Sequence, residues 1–181
     1  MLSINVSVMD LVTGNEFWTT LPVSNIKMAT RGLDPDNTLI SDTEEDLPFN
    51  LGGDVSKVNE ALLKCEDAGL NSVDEIYALM TAAGEDTLTG APFLNVLDSG
   101  DFRQYAIKAE WPRMTDEQCA ACWLATEQYI PFGDLEIGDL VPVEDKLIDF
   151  IDWDEVWDDY VSKGFSLTQL RDNSIIVTQI I

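Results

Sequence analysis

Histidine is absent from this 181-residue chain. Its absence removes the commonest general base and the commonest metal ligand together, so Ser-His-Asp and Cys-His mechanisms are excluded by composition. Positive charge is scarce, with 10 Lys and Arg against 34 Asp and Glu. So few cations, scattered along the chain, cannot follow a phosphate backbone, and nucleic acid is not expected as a partner. Three cysteines, Cys65, Cys119 and Cys122, are too few for a disulfide framework. No apolar run approaches the roughly 18 residues of a membrane helix, so no membrane partner is expected. Residues 1–5 hold no basic stretch ahead of an apolar one, which argues against a signal peptide. No glycine-rich phosphate loop is present. These absences together lead us to expect a cytoplasmic protein.

What the chain has in excess is carboxylate. The formal net charge is −24 and the isoelectric point is near 4.1. Residues are 45% hydrophobic and 9% aromatic, enough apolar material for a packed core. The acids are clustered. Between Phe132 and Tyr160, Asp134, Glu136, Asp139, Glu144, Asp145, Asp149, Asp152, Asp154, Glu155, Asp158 and Asp159 face a single base, Lys146. A second cluster between Asp34 and Asp54 includes Asp42, Glu44, Glu45 and Asp46 and holds no base. Like charges oppose the compact state, so this imbalance calls for an outside reason: a partner with a strongly positive surface. Halophilic adaptation would spread acids over every surface, whereas here they cluster, and residues 50–53 and 87–96 hold no acid.

The pattern of the chain predicts α+β structure over residues 1–54, helical structure over 55–100 and α+β structure again over 101–181. Alternation predicts strands over residues 3–10, 16–21 and 38–43, with a short helix over 23–31. Val55, Val58, Leu62 and Cys65 recur at helical spacing ahead of Gly69. Ser72–Glu75 and Thr115–Gln118 read as capping boxes opening helices, the second of which is expected to run to Pro131. A shorter helix is expected near residues 85–88 and a strand over 102–109. Pro and Gly break residues 133–142. A helix opens at Asp152 and runs to about Val161, and a hairpin closes the chain around residues 171–173.

The helix from Asp152 carries the most information. Asp154, Glu155, Asp158 and Asp159 fall on one face, and Trp153, Val156, Trp157, Tyr160 and Val161 on the other. A solvated helix face usually mixes signs and gains from pairs four residues apart, whereas these acids repel at that spacing. We therefore expect their charge to serve an interface rather than the fold. Cys119 and Cys122 have a redox or half-zinc spacing, but the four ligands of a zinc site cannot be assembled, and two buried thiols are expected. Asp34-Pro-Asp36 and Asp152-Trp-Asp154 lack the further acid and Gly of a calcium loop. No catalytic residue, metal site or cofactor is expected. Paired carboxylates leave open the alternative of an acidic metal-dependent enzyme.

Several segments resemble the ArdA antirestriction proteins, DNA mimics of phages and mobile elements. Phe17-Trp18 through Leu21-Pro22 is similar to the family's opening. Leu39-Ile40-Ser41-Asp42-Thr43-Glu44 with Leu47-Pro48-Phe49 resembles its acidic strand end. Val58-Asn59-Glu60-Ala61-Leu62 is similar to the start of its central helices. Phe150 through Asp154, with Asp159-Tyr160 and Gly164-Phe165, resembles its near-terminal block. The resemblance implies an elongated three-domain protomer, a curved homodimer, and carboxylates standing in for DNA phosphates. The implied partner is a type I restriction-modification complex in the host cytoplasm, whose DNA-binding groove the protein occupies without chemistry. A CRISPR effector or a nucleoid protein is the alternative target. The net charge of −24 matches that of roughly 40 Å of duplex, about one helical turn.

Overall fold

A computed structural model of the chain describes residues 2–107, 113–133 and 145–181; the side chains of residues 145–147 are not described. The protein is mixed α+β, with six α-helices and two three-stranded antiparallel sheets among the described residues. It divides into two compact units, Met1–Asp101 and Phe102–Ile181.

In the first unit, β1 (Ile4–Asp10) lies between β2 (Glu16–Leu21) and β3 (Thr38–Thr43). Alternation sorts the side chains: Ile4, Val6, Val8 and Leu21 are fully buried, while Glu16, Trp18 and Thr20 are exposed on β2. The register between β1 and β3 shifts between Ser7 and Val8. The helix α1 (Ile26–Ala29) is short, and its N-cap Asn25 accepts from the Lys27 amide. Three further helices follow: α2 (Val55–Asp67), α3 (Val73–Ala82) and α4 (Ala91–Ser99). Asp54 caps α2, whose buried stripe is Val55, Val58, Ala61, Leu62 and Cys65. Asn59 on that helix is also buried: it accepts from the Val23 amide at 2.7 Å and donates to the Val23 carbonyl at 3.0 Å. A buried amide needs such partners, and here it ties α2 to the chain leaving β2. Ser72 and Glu75 form the capping box of α3 in both directions.

In the second unit, β6 (Ile175–Ile180) lies between β4 (Phe102–Ile107) and β5 (Phe165–Gln169). The helices α5 (Asp116–Thr126) and α6 (Trp153–Ser162) pack together and share one core with the sheet. Leu124, Trp153, Trp157, Tyr160, Phe165, Ile175 and Val177 are among its buried members. The Tyr160 hydroxyl donates to the Ile130 carbonyl at 2.6 Å, which satisfies a buried polar group. Gly164 turns the chain from α6 into β5 at φ +86°, and a Cβ there would collide with the Ile180 carbonyl oxygen.

Four expectations need correction. No helix forms at residues 85–88. Glu85 instead turns the chain by accepting from the Asp86 and Thr87 amides, and Leu88 donates to the Asn50 carbonyl. The helix begins later, at Ala91, with Pro92 in its first turn. The helix α1 is only the central part of the expected 23–31. α5 ends at Thr126 rather than at Pro131. There Tyr129 takes φ +53° and the Ile130 amide bonds back to the Leu124 carbonyl, which turns Ile130 toward Tyr160. Val161 is half exposed rather than part of the apolar face of α6. The strand expected over 102–109 is described to Ile107; its last two residues, and the break over 134–142, lie outside the described residues.

Candidate acidic interface

The first acidic site is the end of β3 and the loop after it. Asp42, Glu44, Glu45 and Asp46 are all exposed. The backbone beneath them is fixed: the Glu44 amide donates to the Asn5 carbonyl at 3.1 Å and the Thr43 hydroxyl to the Glu45 carbonyl at 2.8 Å. Phe49 and Leu51 are buried and anchor the far end of the loop. The four acids line a groove of about 510 Å³ with Ser41, Asn50 and Gly52. Asp42 also accepts from the Thr43 amide, and Glu44 from the Asn5 side chain at 2.6 Å.

The second site is α6. Its buried residues, Trp153, Val156, Trp157 and Tyr160, hold the acids on the opposite side. Asp154, Glu155 and Asp158 are exposed. Not every acid here is uncommitted. Asp152 caps the helix by accepting from the Glu155 amide at 3.3 Å. Asp154 accepts from the Gln118 side chain on α5 at 3.0 Å. Asp159 accepts from Lys163 at 2.6 Å and from the Gly133 amide at 3.0 Å. Partial burial pushes the Asp159 carboxyl up, but those two donors prevail and hold it below the ordinary carboxylate value. Asp149 is exposed at the 3-10 turn Asp145–Phe150. Asp134, Glu136, Asp139 and Glu144 lie outside the described residues, as does the side chain of Asp145.

Elsewhere two lysines are paired with acids. Lys57 meets Asp54, and Lys64 meets Glu60 and Asp98, the last at 2.8 Å. Cys119 and Cys122 are buried in α5, and Cys65 in α2. Burial pushes the Cys65 thiol up to about 12, and burial with the neighbouring Cys119 pushes Cys122 up to about 11, so neither is a thiolate at neutral pH. Among the described residues, no group of three or more Cys, Asp or Glu converges as a metal ligand set. Nor, among them, is any helix long and apolar enough to cross a membrane.

One surface feature escaped the reading of charge. Trp18 is 52% exposed on the outer face of the first sheet. The alternation of β2 carried the signal, because it places Glu16, Trp18 and Thr20 on one side. Compared with known proteins, the chain matches no family model and no curated sequence.

Proposed function

We propose that the protein is a non-catalytic DNA mimic that occupies the basic DNA-binding groove of a defence enzyme, the type I restriction-modification complex foremost. The observation that carries this reading is the clustering of exposed carboxylates, on the 42–46 loop and on α6, in a chain of only 10 Lys and Arg, of which Lys57, Lys64 and Lys163 are paired with acids. Rows of carboxylates at a basic groove replace phosphates and release the same counterions. The reading carries with it a homodimer of elongated, three-domain protomers in the cytoplasm, with no cofactor and no turnover. Small-angle scattering of the purified protein tests the shape.

The decisive measurement is binding to the purified restriction-modification complex between about 50 and 500 mM salt, with and without DNA. Affinity should fall steeply, on the order of a hundredfold, and DNA should compete. Inhibition should be stoichiometric. A flat salt dependence, or inhibition by trace amounts with turnover, sinks the proposal.

A further inference from the structure

The outer face of the first sheet holds a groove of about 380 Å³ lined by Asn5, Trp18, Thr19, Thr20 and Glu44. Trp18 and Thr20, two residues apart on β2, stand on one face of the sheet, opposite Ser7 and Asn5 of β1. A chain of hydrogen bonds orders the floor. The Thr20 hydroxyl donates to Asn5 Oδ1 at 2.6 Å, and Asn5 Nδ2 donates to Glu44 Oε2 at 2.6 Å. Asn5 thus orients the Glu44 carboxylate in the groove that the indole also lines and leaves its other oxygen able to accept.

A half-exposed tryptophan and an oriented carboxylate lining one groove have a specific complement. The indole face attracts a cation through its quadrupole, and a carboxylate takes parallel N–H donors from a planar fork. Guanidinium meets both demands, because it stacks on aromatic faces and is weakly hydrated; an ammonium group is a compact, strongly hydrated charge. The surroundings are negative, since Glu44 is shared with the edge of the acidic 42–46 loop. We infer that this groove receives an arginine side chain from the basic surface of the partner protein. The inference rests on the reading of the protein as a ligand of basic DNA-binding surfaces. It adds that one contact is an aromatic and carboxylate clamp on arginine, which a phosphate cannot make.

The test follows the Trp18 indole N–H by NMR in the full-length protein, with W18F assigning the signal. The probe is a capped tetra-arginine peptide, with tetralysine as control. Tetra-arginine should move the Trp18 signal saturably, and tetralysine should move it less. W18A and E44Q should each weaken tetra-arginine binding about two- to fivefold. T20R keeps Trp18 and places its own guanidinium in the groove, so it should abolish the peptide-induced shift; thermal melts establish that each variant folds. An unmoved Trp18 signal, or equal shifts with both peptides, overturns the inference. If Trp18 responds to arginine but the protein fails to compete with DNA for the restriction-modification complex, the groove stands and the mimic reading falls. If competition succeeds while the Trp18 signal stays still, the mimic reading stands and the groove falls.

Discussion

The two acidic regions reach the surface by different means. On α6 the helix itself is the scaffold, and its apolar side, Trp153, Val156, Trp157 and Tyr160, is part of the core of the second unit. Several of its acids hold that helix in place: Asp152 caps it, Asp154 meets α5, and Asp159 binds Lys163 and Gly133. In the 42–46 loop the backbone is held by Asn5, Thr43, Phe49 and Leu51, and the carboxylates above it are all exposed. A cluster of like charge is thus not uniform in purpose. In the loop Glu45 can be neutralised with little structural cost, whereas helix acids divide between architecture and surface.

The largest test of this difference lies under the helix. Trp157→Ala removes a side chain that is 9% exposed in the core and should destabilise the second unit by about 3–5 kcal/mol in a denaturant titration. Glu45→Gln in the loop should leave the midpoint unchanged. A similar loss from both would mean that the loop charge supports the fold. Smaller, but on the helix surface, is Asp152→Ala, which removes the N-cap and should cost about 1 kcal/mol.

Charge pattern and element pattern were legible in the chain to different degrees. Strands at residues 16–21 and 38–43, and both capping boxes, could be read locally because alternation and cap residues act within a few positions. The early end of α5 could not be read. It depends on Ile130 reaching Tyr160, thirty residues away in sequence, a tertiary contact that outranks local helical pattern. The buried clamp of Asn59 on Val23 was illegible for the same reason. At the candidate site, the acidic face of α6 followed from helical period, but the commitment of Asp159 to Gly133 did not. Its pairing with Lys163 at four residues' spacing was open to view in the sequence.

That commitment predicts a pH dependence. The Asp159 carboxyl is held below its ordinary value of 3.8 by Lys163 and Gly133 against partial burial. A carboxyl lowered in the fold supports stability above its unfolded value and loses that support as pH falls through the lowered value. Wild type should therefore be more stable than Asp159→Asn at neutral pH, and the gap should close as the pH falls below about 4. Thermal melts of both proteins from pH 7 to pH 2.5 measure it. A gap that is absent at pH 7 would return Asp159 to the group of surface acids.

The smallest effect separates Glu155 from Asp158, two exposed acids that share a face and have no part in capping by their side chains. Glu155 lies in the first turn of α6, where the positive end of the helix dipole favours an anion. Asp158 lies beyond the first turn, where that favourable term has faded, and it repels Asp154 four residues before it. Neutralising Asp158 removes that repulsion, so Asp158→Asn should stabilise the protein by a few tenths of a kcal/mol. Glu155→Gln removes repulsion from Asp159 but also the favourable dipole term, so it should be neutral or slightly destabilising. Both should weaken competition with DNA if α6 forms part of the proposed interface. Stabilisation by Asp158→Asn together with weaker competition would show a charge kept against the interest of the fold, as a binding surface requires. If Asp158→Asn stabilises and competition is unchanged, the mimic surface does not include this face of α6, and the 42–46 loop becomes the region to map.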